Sequence, residues 1–331
     1  SSIVGAAALP GLGLAQNKAA EYRFKLGTDL PVTHSVNVRL KEAIAAIQAE
    51  TAGRVSIELF PNNQLGSDSD MMSQIRSGAL EMATFPGTVM STLIPATALT
   101  GAGFLFSGYD KVWAAMDGQV GNYIRSSIEK TNLVPFATVW DNGFRQITTS
   151  NKPIRTPEDL KGFKIRVPVV PLWVSMFKSL GGAPVSLPLS EAYQALQTKV
   201  ADGQENPLAL IESAKFYEVQ KYVTVTNHVY APWIVLVSKK WWDQLSKDEQ
   251  KILSDAAKIS RDFERKDTRE EAAKAVADLK AKGMQINELP PAEAARMRDK
   301  LTRVYATIGA DIGMDLWNEA QAELAKIRGK K

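Results

Sequence analysis

The chain has no cysteine and only two histidines, His34 and His228, in 331 residues. The first absence excludes disulfides, thiolate metal ligands and thiol nucleophiles together. The second means that a His-dependent triad or a multi-His metal site must draw on two residues far apart in sequence. Motifs of hydrolase and nucleotide chemistry are missing as well, with no G-x-S-x-G, H-E-x-x-H or G-x-x-x-x-G-K-[ST]. Gly101-Ala102-Gly103 lacks the third glycine of a dinucleotide loop. No apolar run after the N-terminus approaches the ~20 residues that span a bilayer, so direct membrane insertion is not expected. Neither sign of charge dominates: 40 Lys and Arg are interspersed with 36 Asp and Glu, for a formal charge of +4. That pattern forms no basic stripe for nucleic acid. No metal, cofactor or catalytic residue is expected.

What is present suits a soluble globular protein, with 45% hydrophobic and 23% charged residues. At roughly 100–200 residues per domain, the length favours two domains. Residues 1–20 read as the remnant of a secretory signal. Ser1 to Ala15 are small and apolar, no charge precedes Lys18, and Gly13-Leu14-Ala15 places small residues before a cleavage point. The mature chain is then expected to begin near Gln16 to Glu21 and to work in the periplasm. An apolar N-terminal strand is the competing reading.

Strand and helix signals alternate along the chain. Tyr22 to Gly27 alternates with period two, and Val36, Leu40, Ile44 and Ile47 carry a helix to Gly53. Strands follow at Arg54–Phe60, Glu81–Phe85 and Val134–Trp140, with a short helix near Asp70–Ser77. This order reads as a parallel α/β sheet. A second such unit starts with Phe144–Thr149. Thr156-Pro157-Glu158-Asp159 reads as a helix start, Lys164–Val167 as a strand, and Leu172–Leu180 and Ser190–Lys199 as helices. Tyr222–Ser238 is β-rich and long enough to pass between lobes. Ser246-Lys247-Asp248-Glu249 is a capping box opening a helix that reaches Lys282. Its middle, Arg261–Glu271, is charged on most faces, so part of it is expected to lie over the surface rather than in a core.

Candidate binding groups cluster in the second unit. Arg166 stands at the end of a strand, where open α/β sheets bind ligands. A guanidinium there can offer two parallel donors to a carboxylate, although a surface ion pair is the plain alternative. Arg145 has the same setting and the same alternatives. Pro207 pushes Asn206 towards an extended conformation that can aim its amide into a cleft, or the segment is a simple turn. His34, near a helix start, either lines a site or merely ends the helix. His228, in an apolar run, reads as a hydrogen-bonded structural residue. Carboxylate pairs such as Glu58/Asp68 carry no sequence support for acid–base work.

Three segments together carry a family resemblance. They are Asn142-Gly143-Phe144-Arg145-Gln146, Asp159-Leu160-Lys161-Gly162-Phe163-Lys164-Ile165-Arg166-Val167-Pro168 and Val200-Ala201-Asp202-Gly203-Gln204-Glu205-Asn206-Pro207. With Phe60-Pro61-Asn62-Asn63-Gln64-Leu65-Gly66, Phe104-Leu105-Phe106 and Phe216–Tyr222, they resemble the solute receptors of TRAP (tripartite ATP-independent periplasmic) transporters from about Tyr22 to Arg328. The resemblance implies an α/β, two-lobed periplasmic-binding-protein-like fold with a long helix spanning both lobes. Lobe I is expected from residues 21–142 plus 232–270, lobe II from 143–231 plus 271–310, and a C-terminal helix from 311–331. It also implies that Arg166 pairs with a substrate carboxylate, that Arg145 and Asn206 assist, and that integral membrane subunits of the transporter receive the ligand. A monomer is expected.

The ligand is less defined. Trp173, Trp140, Phe144, Trp233, Phe85 and Tyr230 are candidate cleft residues or core residues. Several aromatics in one cleft would suit an aromatic 2-oxo or 2-hydroxy acid. Short keto acids or sugar acids stay open, with Thr28, Asp29, His34 and Asp141 as hydroxyl partners. A periplasmic enzyme on the same scaffold and a receptor feeding a sensor kinase are the competing functions.

Overall fold

The computed structural model describes residues 20–136 and 139–329, so the expected secretory remnant, apart from Ala20, lies outside the described residues. The alternating segment after Glu21 forms β1 (Tyr22–Thr28), and α1 (Ser35–Glu50) starts on His34, whose Nδ1 accepts from the Val36 amide at 3.3 Å. β2 (Val55–Phe60) is followed by α2 (Asp68–Ser77), which opens on a reciprocal Ser67/Asp70 capping box and ends on left-handed Gly78. Next come β3 (Met82–Pro86), two 3₁₀ turns (Gly87–Thr92 and Pro95–Gly101), α3 (Tyr109–Met116) and α4 (Gln119–Glu129). The strand expected over 134–140 is divided: β4 is Leu133–Pro135, and β5 (Trp140–Thr149) begins where that reading stops.

The Thr156 box is present but caps only a 3₁₀ turn (Pro157–Leu160), not a full helix. The chain continues through β6 (Lys164–Val167), α5 (Pro171–Ser179), β7 (Ala183–Ser186), α6 (Leu189–Gln197), β8 (Gly203–Pro207) and α7 (Leu208–Ser213). After β9 (Tyr222–Ser238) and α8 (Lys239–Trp242) comes α9 (Lys247–Ala281), a 35-residue helix opened by the Ser246/Glu249 box. At 1.5 Å per residue it extends about 50 Å. β10 (Gln285–Glu288), α10 (Pro291–Asp299), α11 (Thr302–Ile312) and α12 (Met314–Gly329) complete the chain.

The strands form one sheet in the order β2-β1-β3-β9-β5-β8-β6-β7, with β4 and β10 also paired to β9. Its two ends are parallel, as expected, through β1–β2, β1–β3, β6–β7 and β6–β8. The middle is not: β3–β9, β4–β9, β5–β8 and β5–β9 are antiparallel. Most of this passes through β9, which pairs with β10 at its start, with β5 from Tyr222 to Trp233, and with β3 and β4 at its end. β9 thus runs against β3, β4 and β5 and alongside β10.

The β5–β9 ladder breaks register twice, between Asp141 and Phe144 and between Arg145 and Ile147. At the first break Gly143 has φ 89°, a left-handed conformation that costs glycine little. At the second, the Gln146 carboxamide fills the gap. Its Oε1 accepts from the Thr226 and Asn227 amides at 2.8 and 2.9 Å, and its Nε2 donates to Asn227 Oδ1 at 2.7 Å.

Part of the middle of α9 lies on the surface as expected, at Asp262, Phe263, Lys266, Arg269 and Glu270, but its other face is inside. Glu264, Arg265 and Thr268 are buried. They serve the crossing strand: Glu264 Oε2 accepts from the Asp141 amide at 2.8 Å, Thr268 donates to Asp141 O at 3.3 Å, and Arg265 donates to Val139 O at 2.9 Å. A helix crossing polar backbone needs polar side chains on its inner face. On that face the charge pattern therefore misleads.

Candidate functional site

The carboxyl ends of the strands meet around a narrow inter-lobe cleft. β1 delivers Asp29, β3 delivers Pro86, and the start of α2 brings Ser67, Asp68 and Ser69. From the other side come Arg166 and Pro168 at the end of β6, Pro188 and Leu189 after β7, Asn206 of β8 and Arg145 of β5. Trp233 of β9 lies between the two groups.

Arg166 is the unusual member. Only 1% of the residue is exposed, and both Nε and Nη2 donate to one backbone carbonyl, Leu187 O, at 2.9 and 2.6 Å. No acid among the described residues comes within 4.0 Å of it. Burial, opposed by Glu205 but reinforced by the neighbouring Arg145 charge, pulls its pKa down to about 10. A buried cation without an acid beside it is costly unless something else neutralises it.

Arg145 is held differently. Its Nε pairs with Glu205 Oε2, and its Nη2 donates to Glu205 Oε1, Glu205 O and Asn206 Oδ1 at 2.8, 2.7 and 2.8 Å. Its guanidinium lies 4.6 Å over the Trp173 ring. The Trp173 indole donates to Gly101 O at 3.1 Å, and a Cβ at Gly101 would approach Thr88 Cγ2 to 1.9 Å, so this close packing requires glycine. His228 Nε2 lies 3.1 Å from Glu205 Oε2, while its Nδ1 bonds Thr226 at 2.7 Å. Burial by itself would raise the Glu205 carboxyl, but Arg145 and His228 hold it below the usual range. Arg145 and Glu205 thus pair directly, which leaves Arg166 as the cleft guanidinium without an acid within 4.0 Å among the described residues.

On the opposite wall stand two acids. Asp29 is 7% exposed, and its Oδ1 has no hydrogen-bond partner among the described residues. Asp68 is only half-buried as a residue, yet its Oδ1 is sealed from solvent and equally unpartnered. Burial raises Asp29 to about 7 despite attraction from Arg166 and Arg145. Burial and the Asp29 charge raise Asp68 well above its ordinary range.

Of the residues singled out in the sequence, the cleft brings together Arg166, Arg145, Asn206 and Trp233. Trp173 stands behind Arg145 and is fully buried. Phe144 and Tyr230 pack edge to face at 5.3 Å in the main core, where Phe85 also lies, and Trp140 belongs to the first-lobe core. These four do not line the cleft, because bulky rings beside the crossing strands fill the space under the sheet. His34 caps α1 and borders a separate groove with Glu212 and Lys215. The Gln204–Pro207 segment is a buried strand rather than a turn, and Asn206 donates to Gln204 Oε1 at 2.6 Å. Asp68, Val169 and Leu189 were not anticipated as cleft residues. The rule that ligands sit beyond strand carboxyl ends would have pointed to Val169 and Leu189, but not to Asp68.

Two sets of strand ends facing each other over an enclosed polar cleft define a two-lobed solute receptor. Residues 26–311 match the model of bacterial extracellular solute-binding protein family 7, DctP, and the chain belongs to that family, the solute receptors of TRAP transporters. It is 33% identical over 267 residues to the 2,3-diketo-L-gulonate-binding periplasmic protein YiaO of Escherichia coli (strain K12), covering 81% of each chain. Among solved structures it resembles the sugar acid binding protein DctPAm of Advenella mimigardefordensis in complex with galactonate. There the TM-score is 0.89 at 31% identity, over 94% of this chain and 100% of that one. A TRAP periplasmic solute binding protein of Sulfurospirillum deleyianum with bound succinate matches with TM-score 0.86 and 30% identity, over 92% of this chain and 99% of that one. The family is one of receptors, not enzymes. Among the described residues no helix is long and apolar enough to cross a membrane.

Proposed function

We propose that the protein captures a small organic carboxylate in the inter-lobe cleft of the periplasm and hands it to the membrane subunits of a TRAP transporter. The observation that carries this reading is Arg166: a buried guanidinium lining the cleft, bonded only to Leu187 O and free of any acid within 4.0 Å among the described residues. A ligand carboxylate would supply the missing charge. Arg145 and Asn206 lie beside it and would complete the anion's hydrogen bonds. The ligands of the relatives, 2,3-diketo-L-gulonate, galactonate and succinate, are all small carboxylates, which supports the same reading.

The lobes would be residues 21–142 with 232–270, and 143–231 with 271–310, closing about the two register breaks of β5 and β9. An aromatic 2-oxo or 2-hydroxy acid finds little in the cleft to favour it, since Trp233 is the single aromatic residue lining it among the described residues. Thermal-shift screening of the protein against organic acids tests the proposal. A ligand at about 100 times its Kd adds about 2.7 kcal/mol to stability. A broad panel of carboxylates without a single stabilising member would refute it.

A further inference from the structure

Both walls of the cleft are charged, and with opposite signs. Arg166 and Arg145 stand on one wall, and Asp29 and Asp68 on the other. The acids are not structural ion-pair partners of those arginines, since no acid among the described residues other than Glu205 comes within 4.0 Å of Arg145, and none within that distance of Arg166. Nor do the acids complete the hydrogen bonding of their own wall. Asp29 is more than nine-tenths buried, and its Oδ1 and Asp68 Oδ1 both lack a donor among the described residues. A buried acceptor without a donor is costly in a folded protein, so such atoms aimed into a cleft ask for donors from a ligand. Ser67 and Ser69 beside them add neutral polar groups to the same wall.

We infer that Asp29 and Asp68 determine specificity by selecting a monocarboxylate whose far end is an uncharged hydrogen-bond donor, as in a polyhydroxylated acid, and by rejecting dicarboxylates. The inference rests on the receptor reading above and gives that reading its ligand class. A ligand carboxylate docks at Arg166, and its hydroxyls donate to the two aspartates across the gap. A second carboxylate in that place would meet two acids in a desolvated site, where like charges facing each other oppose binding strongly. Burial, and for Asp68 the Asp29 charge, disfavour ionising both aspartates together, yet one ionised carboxylate on that wall is enough to oppose a second carboxylate on the ligand. The limited ionisation favours neutral hydroxyls over an ammonium group, which would need the full negative charge.

Calorimetry on the full chain decides it, with four- to six-carbon hydroxylated monocarboxylates (erythronate, gluconate, galactonate, galacturonate), two dicarboxylates (succinate, glutarate) and one amino acid (4-aminobutyrate). At least one hydroxylated acid should bind about 100-fold more tightly than either dicarboxylate. Asp68→Asn and Asp29→Asn keep the shape of the wall while removing its charge. Each should weaken the hydroxylated acid, strengthen succinate and narrow the gap at least tenfold. Tighter binding of succinate, glutarate or 4-aminobutyrate by the wild-type chain would overturn the inference while leaving the receptor reading intact. An unchanged preference in both Asn variants would do the same. If no acid of any class binds the wild-type chain, the receptor reading fails and the inference fails with it.

Discussion

Replacing Arg166 with methionine separates a binding role from a structural one, because the structure sets different magnitudes for the two. Holding the guanidinium charged in its buried place, with its pKa pulled down to about 10, costs on the order of 3 kcal/mol. Methionine removes that cost and retains most of the side-chain volume. It also removes both hydrogen bonds to Leu187 O, and a buried carbonyl left without a donor costs about 1–3 kcal/mol. The two effects nearly offset, so the ligand-free melting temperature of Arg166→Met should stay within about 5 °C of wild type. Binding has no such compensation. Loss of one partner of a buried, charge-assisted pair costs about 2–5 kcal/mol, or roughly 30- to 5,000-fold in Kd. Scanning fluorimetry without ligand and calorimetry with the best-binding organic acid measure the two quantities on one preparation. An affinity within fivefold of wild type would refute the role assigned to Arg166. A melting temperature lowered by 15 °C would show that the residue holds the fold together.

Glu205→Gln leaves Arg145 without its buried countercharge, and urea unfolding should show a loss of about 3–5 kcal/mol; a loss under 1 kcal/mol would contradict the ion-pair assignment. Gln146→Ala removes the acceptor shared by the Thr226 and Asn227 amides and should cost about 1–2 kcal/mol, since exposed Asn227 can turn to water. Faster amide exchange at Thr226 would accompany that loss, and unchanged exchange would argue against the bulge being stitched this way. Stability should also depend on pH. Asp29 and Asp141 are raised to about 7 and about 6 by burial, so the folded state binds protons that the unfolded chain releases near 3.8. Their contribution is fully present at low pH and is lost as pH rises through about 6 to 7. His34, lowered to about 4 by burial, acts in the opposite sense only below its unfolded value of 6.5. The ligand-free melting temperature should therefore climb between pH 8 and 6.5, and Asp29→Asn should flatten the climb; a melting temperature that falls over that interval would refute the assignment.

The parts of the fold legible in the sequence are those where apolar period and capping chemistry agree. Tyr22–Thr28, Ser35–Glu50 and Tyr222–Ser238 belong to this group, as does the Ser246 box that opens α9. β8 was not legible, because Gly203-Gln204-Glu205-Asn206-Pro207 contains no residue that an apolar pattern can count except its last. It is nevertheless fully buried, its side chains satisfied by Arg145 and Thr148. In the middle of α9 the exposed side was legible, but the buried face was not, since buried polar side chains that serve a neighbour's backbone look like surface ones. In the cleft, Arg166 could be read from its position at the end of a strand. Asp68 could not, because an acid at a helix start has an ordinary local explanation in the helix dipole. Only the folded chain sets it opposite two arginines.

β9 is a strand of both halves at once, and α9 packs against β5 where that strand crosses between them. A cut that divides the molecule into its two lobes must break backbone ladders on each side and leave long polar edges bare. Neither half is thus an autonomous folding unit, whatever the outline of the molecule suggests. Heating should melt them together in one calorimetric step, and a chimera that exchanges a lobe with a relative would have to carry both crossing strands along with it.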